Sequence, residues 1–299
     1  MKDLIVIGAG CAGLTAALYA ARAGKSVLIL DAEGIGGQIT AAPAVENYPG
    51  VPVMSGMEFA DRLYEQVTKL GVEMELTTVQ RIEDGKDHKT VITEDGNFEA
   101  KAIIIATGAK HRHLDVPGEE KFSGHGVSYC AMCDGAFFKG RPVAVIGGGN
   151  TALTDALYLA ATCSSVVIIH RREEFRADAD LVARAKKLPN IQWVLNSVVE
   201  EFLGTANLSS IRIYNKVTEK RDEIPADAAF IAIGQEPSNA AFASLAVTDA
   251  EGYFVAGEDG TTKTSGIYVA GDCRAKALHQ LTTAAADGAN AAMSAWKRG

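Results

Sequence analysis

The chain has 299 residues, of which 47% are hydrophobic and 22% are charged, and its formal net charge is −8. This composition is typical of a globular protein with room for two domains of roughly 100 to 200 residues each. The acidic balance argues against nucleic acid as a partner, because phosphate binding needs a basic face, and no apolar run approaches the roughly 18 residues of a membrane span.

The N-terminal segment carries a glycine turn between a strand and a helix. An apolar run at residues 4–7 is followed by Gly8, Gly10 and Gly13 and then by an alanine-rich helical pattern. Glycines in this arrangement let the backbone approach a pyrophosphate, which then lies at the helix N-terminus. The next strand ends at Asp31, where an acidic side chain can bind ribose hydroxyls. The segment therefore predicts a site for a dinucleotide, either FAD or NAD.

A long loop and several strands follow. Residues 34–50 are rich in Gly and Pro, and their apolar side chains favour an ordered, functional loop. Residues 59–70 have helical periodicity, whereas residues 76–82 and 90–93 alternate like strands. The continuous apolar strand at 102–108 ends in small residues, as expected where a buried parallel strand meets a cofactor. A core strand followed by a glycine turn is the alternative.

Two cysteines and an aspartate form the most specific motif of the chain. Cys130 and Cys133 are separated by two residues, and Asp134 follows directly. Such a pair can close a small disulfide, and one thiolate can be stabilised by its neighbour and by a helix N-terminus. A structural zinc site would need four ligands, and the sequence has no second pair of this kind. We therefore predict a redox pair with a proton donor beside it, and the five cysteines without scaffold spacing favour the reducing cytoplasm.

The first glycine turn is repeated in the middle of the chain. Gly147, Gly149, Asn150 and Thr151 again lie between an apolar run and a helical pattern. The segment starting at Gly147 matches the one starting at Gly8 at seven of thirteen positions. A repeated fingerprint predicts two dinucleotide sites.

The strand after the second turn ends in basic residues instead of an acid. His170, Arg171 and Arg172 come first and Arg176 follows. A guanidinium cluster at this position suits a 2′-phosphate, so the pattern favours NADP over NAD. A solvated basic turn is the alternative.

The C-terminal part contains two more apolar strands and a helix. Residues 228–234 form the first strand, and residues 266–272 form the second, which ends at Asp272. Residues 281–296 form an alanine-rich helix whose N-terminal backbone donors could meet a flavin carbonyl or phosphate. Because the first fingerprint has no substrate half of its own, we expect this segment to return and complete it. The predicted fold is α/β, with two Rossmann-like domains, the second inserted into the first.

Together these pieces resemble the low-molecular-weight thioredoxin reductases along essentially the whole chain. The resemblance implies FAD bound noncovalently in a discontinuous domain of residues 1–113 and 238–299, and NADPH in an inserted domain of residues 114–237 that carries the redox pair. It also implies a cytoplasmic homodimer that reduces thioredoxin. The domains rotate between states in this family, which would make the crossings near Leu114 and Pro237 hinges. The matching stretches are residues 8–13, 36–38, 45–50, 106–108, 130–135, 147–152, 170–172, 175–177, 271–272 and Gln280.

The resemblance also assigns roles to residues. It makes Cys133 the flavin-proximal sulfur, Cys130 the interchange thiol that attacks the partner disulfide, and Asp134 the acid/base of the dithiol. Electrons would pass from NADPH through FAD to the disulfide and on to thioredoxin. The predicted FAD site comprises Gly8, Gly10, Gly13, Asp31, Gly37, Gln38, Asn47, Gly108, Asp272, Gln280 and Leu281. The predicted NADPH site comprises Gly147, Gly149, Asn150, Thr151, His170, Arg171, Arg172 and Arg176.

Proteins with the same core define the alternatives. Reductases driven by ferredoxin or reduced flavin tend to lose the second glycine motif and its arginines, which this sequence keeps. Peroxidase-linked reductases carry an extra N-terminal dithiol domain, whereas this sequence begins at the FAD strand. A ferredoxin:NADP oxidoreductase would lack Cys130 and Cys133, and a noncatalytic flavin-binding sensor would not need them. Another small disulfide could replace thioredoxin, and His279 stands where the family usually has Arg before Gln280.

Overall fold

The computed structural model describes residues 1–298, which form seventeen β-strands and six α-helices. None of these helices is both long and apolar enough to cross a membrane. The strands are β1 (Lys2–Ile7), β2 (Val27–Asp31), β3 (Glu73–Leu76), β4 (Val79–Asp84), β5 (Lys89–Thr93), β6 (Asn97–Ile105), β7 (Ala109–His111), β8 (Val127–Ser128), β9 (Pro142–Ile146), β10 (Ser165–Ile169), β11 (Ile191–Val194), β12 (Ser197–Gly204), β13 (Leu208–Asn215), β14 (Arg221–Pro225), β15 (Ala228–Ile231), β16 (Gln235–Pro237) and β17 (Ile267–Val269). The helices are α1 (Cys11–Arg22), α2 (Gly56–Thr68), α3 (Ala131–Asp134), α4 (Asn150–Ala160), α5 (Ala179–Lys186) and α6 (Leu281–Arg298).

The chain divides into two compact α/β units. The first comprises Met1–Lys110 and the chain from Glu236 onward, and the second comprises His111–Gln235. The strands β7 and β16, which pair with each other, span the two points where the chain crosses between the units. Which dinucleotide each unit binds stays a prediction.

The first unit is built on a sheet with the strand order β3-β2-β1-β6-β5-β4, and β17 pairs with the C-terminal half of β6. Strands β1, β2, β3, β6 and β17 run parallel, while β4, β5 and β6 form an antiparallel meander. Ile5 and Val6 of β1 are completely buried because α1 and α6 cover one face and residues such as Phe254 cover the other. Burial on both faces explains why the strand is a continuous apolar run.

Helix α1 packs closely against the end of β1 because Gly8 and Gly13 carry no side chains. A Cβ at Gly8 would lie 2.3 Å from the Ala106 carbonyl oxygen, and Gly8 has a φ of +109°. A Cβ at Gly13 would lie 1.8 Å from the Gly8 carbonyl oxygen. Neither position accommodates a side chain, so the two glycines fix how closely α1 approaches the sheet.

The second unit repeats this arrangement on its own sheet. All strands of this sheet run parallel, in the order β11-β10-β9-β15-β8. Gly147 follows β9 as Gly8 follows β1, and a Cβ there would lie 2.3 Å from the Ala232 carbonyl oxygen. The antiparallel strands β12, β13 and β14 are inserted before β15. The predicted α/β class with two Rossmann-like folds is confirmed.

Some element boundaries differ from the prediction. The sequence predicts the first helix from residue 14, but α1 begins at Cys11, because Gly10 acts as its N-cap and Gly13 lies inside its first turn. The loop at residues 34–50 contains a 3₁₀ turn, Gly37–Ala41. The sequence predicts crossings near Leu114 and Pro237, and in the structure the chain passes from one unit to the other between residues 110 and 111 and between residues 235 and 236.

We predict that Gly288→Ala destabilises the protein. A Cβ at Gly288 of α6 would lie 2.1 Å from the Ala12 carbonyl oxygen of α1, and a backbone atom cannot move aside as a side chain can. We expect a loss of about 1–3 kcal/mol in the free energy of unfolding, although alanine favours helix over glycine. Thermal unfolding followed by circular dichroism measures the change in Tm.

Asn290→Ala in the same helix is the control, because Asn290 is exposed. Its Tm should stay the same or rise slightly through the higher helix propensity of alanine. Equal Tm values for Gly288→Ala and Asn290→Ala would contradict the tight packing of α6 on α1.

Candidate active site

Cys130 and Cys133 form a disulfide in the second unit, with Cα atoms 5.3 Å apart. Cys130 is the N-cap of α3, and the backbone N–H of Cys133 donates to Cys130 Sγ at 3.2 Å. In the reduced pair this N–H would stabilise negative charge on the Cys130 sulfur. Met132 between the two cysteines is 45% exposed, so the loop is accessible from solvent in this unit.

Asp134 lies beside the disulfide and is held by one hydroxyl group. Ser128 Oγ donates to Asp134 Oδ2 at 2.6 Å and accepts from the Cys130 N–H at 3.1 Å. Burial raises the pKa of Asp134, and the hydrogen bond from Ser128 partly opposes that rise. The carboxyl group therefore keeps its proton to a higher pH than an exposed aspartate does, which suits a proton donor for a thiolate.

Tyr129, which directly precedes the disulfide, is anchored to a buried carboxylate. Its hydroxyl donates to Glu119 Oε1 at 2.7 Å, and Glu119 Oε2 accepts from the N–H groups of Leu114 and Asp115 at 3.0 and 2.8 Å. Burial and the neighbouring Glu119 raise the pKa of Tyr129, so the phenol stays protonated and remains a donor. The chain entering the redox pair is thus fixed to the first residues of the second unit.

The second glycine turn places its predicted residues at the N-terminus of α4. Asn150 Oδ1 accepts from the Asp178 N–H at 2.7 Å, and Asn150 Nδ2 donates to Asp178 Oδ2 at 3.1 Å. Thr151 is exposed in the first turn of the helix. The Arg176 N–H donates to the Gly148 carbonyl at 2.9 Å, which holds the arginine loop against the glycine turn.

The four basic residues after β10 occupy two different environments. Arg171, Arg172 and Arg176 are exposed. His170 is buried and stacks on Phe175, with ring centroids 4.8 Å apart. Burial lowers the pKa of His170, and the nearby arginines lower it further. The exposed positive charge of this loop therefore resides on the three arginines.

Asp31 at the end of β2 holds the first glycine turn. Its Oδ2 accepts from the Ala9 N–H at 2.7 Å, and its Oδ1 accepts from the N–H groups of Glu33 and Gly34, each at 2.8 Å. These backbone contacts give the carboxylate a structural role. Its predicted contact with a ribose stays a prediction.

The other residues of the predicted FAD site converge on the same edge of the first unit. Gln38 donates to the Ala109 carbonyl, next to Gly108. Asn47 Nδ2 donates to Gln280 Oε1 at 3.0 Å. Further contacts at this edge are the bridge between Gly10 and Gly36, the approach of Gly37 to Gly10, and the hydrogen bond from Cys11 to Leu281.

The glycines of both turns leave space that suits a bound dinucleotide. A Cβ at Gly108 or Gly149 would meet no atom of the described residues within 4 Å, and a Cβ at Gly10 would meet only Gly36 O, at 3.9 Å. Gly10 and Gly149 also have φ values of −73° and −98°, which any residue can adopt. Neither packing nor backbone strain demands glycine there, whereas close approach of a pyrophosphate does. The residues present therefore fit a dinucleotide in each unit, as FAD and NADPH require.

Asp272 follows β17 and is paired with Lys276, which belongs to none of the sequence motifs. Lys276 Nζ lies 3.0 Å from Asp272 Oδ1 and 3.2 Å from Asp287 Oδ2. Asp287 is the one charged residue in the sequence between Gln280 and Lys297. A single charge in an otherwise uncharged helix indicates a buried ion pair, so the sequence carried a signal for this contact. Ser128, Tyr129 and Glu119, by contrast, carry no spacing signal, because their partners are defined only by the fold.

The remaining cysteines are separate from the redox chemistry. Cys11, Cys163 and Cys273 carry free, buried thiols. Burial raises the pKa of Cys11 and of Cys273 to about 11, and it raises the pKa of Cys163 as well. Because the thiolate is the reactive form, the raised pKa makes these three side chains weak nucleophiles at neutral pH.

Comparisons with known proteins show the family to which the chain belongs. The family model described as pyridine nucleotide-disulphide oxidoreductase matches residues 2–288. A thioredoxin reductase of Listeria innocua is 43% identical over 296 residues, which cover 99% of this chain and 93% of that protein. A thioredoxin reductase of Bacillus subtilis is 40% identical over 293 residues, with 98% and 93% covered.

A solved structure is similar at the level of the backbone. The crystal structure of thioredoxin reductase from Streptococcus pyogenes has a TM-score of 0.95 and 42% identity, with 99% of this chain and 97% of that chain covered. The predicted resemblance is confirmed along nearly the full length. This protein is a member of the pyridine nucleotide-disulphide oxidoreductase family.

Proposed function

We propose that this chain is a thioredoxin-disulfide reductase that uses NADPH as electron donor and FAD as cofactor. The observation that carries the proposal is the Cys130–Cys133 disulfide with Asp134 beside it, located on one of two Rossmann-like units. A disulfide with its own carboxyl group has no purpose in a flavin-binding sensor. The names of the full-length relatives support thioredoxin as the acceptor.

In this proposal the first unit binds FAD and the second binds NADPH. The glycine turn at Gly10 would hold the pyrophosphate of FAD, and the turn at Gly149 would hold that of NADPH. Arg171, Arg172 and Arg176 bind the 2′-phosphate, because exposed guanidinium groups pair well with phosphate. FAD, when bound, supplies two-electron redox chemistry between a nicotinamide and a disulfide.

The protein residues then carry out thiol–disulfide exchange. The Cys130 thiolate attacks one sulfur of the partner disulfide, and the partner's other sulfur leaves as a thiolate. Asp134 donates a proton to a departing thiolate and regains one when the pair is reduced again. Cys133 next attacks Cys130 in the mixed disulfide, which releases the second partner thiol and restores the Cys130–Cys133 disulfide. Two electrons and two protons leave the enzyme in each cycle.

The proposed reaction requires the two units to change their relative orientation. A nicotinamide and a disulfide carried by one unit cannot both face one flavin, so the proposal includes rotation of the units about β7 and β16. Each of these strands has three residues, which makes them short connections. The proposal also includes a cytoplasmic homodimer, as the family resemblance implies.

Anaerobic mixing of the yellow protein with NADPH, and separately with NADH, tests the proposal directly. NADPH should bleach the flavin, two thiols should appear, and added thioredoxin should reoxidise them. Bleaching by reduced ferredoxin but by neither nicotinamide would overturn the choice of donor. Reduction of a small disulfide without any reduction of thioredoxin would overturn the choice of acceptor.

Replacing the interchange cysteine should separate flavin reduction from thioredoxin reduction. We expect Cys130→Ser to lower kcat/KM for thioredoxin by about 10³-fold or more, because the nucleophile is lost. NADPH oxidation by ferricyanide, which accepts electrons without the dithiol, should persist. Cys163→Ser, at a buried thiol of the same unit, should keep both activities. Thioredoxin reduction by Cys130→Ser would be incompatible with the mechanism.

The arginine loop should set the preference for NADPH. The double change Arg171→Ala and Arg172→Ala should lower the NADPH to NADH ratio of kcat/KM about 10- to 100-fold, because charge-assisted hydrogen bonds to the 2′-phosphate are lost. Arg184→Ala is the control, since Arg184 is an exposed arginine on α5 that lies 4.0 Å from Asp180. An unchanged ratio in the double variant would refute this assignment.

Ser128→Ala should shift the pH dependence of disulfide reduction. The Ser128 hydroxyl stabilises the ionised Asp134, so its removal raises the pKa of Asp134 further. The limb of the kcat/KM profile that belongs to Asp134 should move to higher pH, and Asp134→Asn should abolish that limb. Ser210→Ala removes a similar 2.6 Å hydrogen bond to Glu223 in the β12–β14 sheet and should leave the profile unchanged. A Ser128→Ala profile identical to wild type would exclude Asp134 as the titrating group.

A further inference from the structure

Four charged side chains form a largely buried group after β17 in the first unit. We call Asp272, Arg274, Lys276 and Asp287 the Lys276 network. The side chains of Lys276, Asp287 and Arg274 are only 8%, 9% and 11% exposed. Two positive and two negative charges balance, as burial of ions requires.

Asp287 of α6 is the centre of this network. Its Oδ1 accepts from Arg274 Nη2 at 2.7 Å, and its Oδ2 accepts from the Gly271 N–H at 3.1 Å and lies 3.2 Å from Lys276 Nζ. The segment after β17 is therefore tied to α6 at three points. The same segment is packed against α1, because a Cβ at Gly271 would lie 2.6 Å from the Ala12 Cβ.

Lys276 connects Asp287 to Asp272. Its Nζ lies 3.0 Å from Asp272 Oδ1, an oxygen that is inaccessible to solvent and has no hydrogen bond of good geometry among the described residues. The Asp272 side chain as a whole is 29% exposed. The accessible oxygen is therefore Oδ2, and Lys276 sets the direction in which it points.

An ionised carboxylate oxygen can only accept hydrogen bonds. The Asp272 carboxylate lies near the first turn of α1. A Cβ at the preceding Gly271 would lie 2.6 Å from the Ala12 Cβ, and, in addition to burial, the charge of Asp272 contributes to the raised pKa of Cys11. A ligand at this position must present a donor, and the ribityl chain of FAD carries hydroxyl groups. We propose that Lys276 is a positioning residue that holds the Asp272 carboxylate for a hydroxyl of FAD. This inference rests on the assignment of FAD to the first unit.

The alternative is that Lys276 only stabilises the fold by neutralising Asp287. Both roles predict a less stable protein without Lys276, so stability alone does not separate them. The proposal differs because Lys276 acts on FAD through Asp272. Its effect on FAD affinity should therefore depend on whether Asp272 is present.

The experiment is a double-mutant cycle on FAD affinity, measured by fluorescence titration of flavin-stripped protein. Lys276→Met should raise the Kd for FAD about 10- to 100-fold, because a charge-assisted contact is lost when Asp272 is released. Lys276→Arg should recover most of that affinity. In an Asp272→Asn background, Lys276→Met should change the Kd less than about 3-fold. Lys101→Met, which breaks the 2.7 Å ion pair with Asp3 in the same unit, is the control and should leave the Kd unchanged.

Equal Kd increases for Lys276→Met in the wild-type and Asp272→Asn backgrounds would overturn the proposal, as would a Lys276→Met protein that binds FAD like the control. If Lys276→Met does not fold, Lys276→Gln takes its place in both backgrounds. No step of the titration uses NADPH or thioredoxin, so failure of the reductase activity and failure of this inference are separate results. Wild-type protein that does not bind FAD would refute the cofactor assignment itself.

Discussion

Close approach of backbone to backbone at the glycine turns is the constraint on which both units depend. At Gly13 a single added carbon atom would lie 1.8 Å from the Gly8 carbonyl oxygen, and at Gly147 it would lie 2.3 Å from that of Ala232. A helix backbone can approach a strand backbone this closely only where glycine replaces residues with side chains. Gly10 and Gly149 of the same turns leave space at the helix N-termini that would admit an anion, so each turn both packs the fold and suits a nucleotide phosphate. The rest of each unit is arranged around that edge.

The redox pair has a different kind of support, because its neighbours are hydrogen-bonded side chains. Ser128 contacts both Asp134 and the Cys130 backbone, and Tyr129 is held by the buried Glu119. The side chains of Asp134 and Tyr129 are half-buried in these contacts. Their burial is what raises the pKa values of Asp134 and Tyr129. The electrostatic character of the site therefore comes from packing, and a change in packing would alter its acid–base chemistry.

The sequence alone was sufficient for features whose partners are close along the chain. The two glycine turns and the Cys130–Cys133 spacing each define a local geometry, so the α/β class and the redox pair could be predicted from them. Features that depend on distant partners were out of reach. Asp31 illustrates the difference, since its position predicted a ribose contact, while its hydrogen bonds to Ala9 and Gly34 follow from how the turn folds back. Lys276 and Asp287 meet only because α6 packs beside the segment after β17.

Three of the five cysteines are buried free thiols, so the redox state of the remaining pair can be measured in the native protein. Cys11, Cys163 and Cys273 are shielded and hold their protons, so an alkylating reagent at neutral pH reports the oxidation state of one pair only. After reduction of the disulfide, a fluorophore or isotope label can be attached to this pair without first replacing Cys11, Cys163 and Cys273. For the same reason, mild oxidants should be consumed at Cys130 and Cys133, whose disulfide the proposed reductase cycle would reduce again, before they reach the three buried sulfurs.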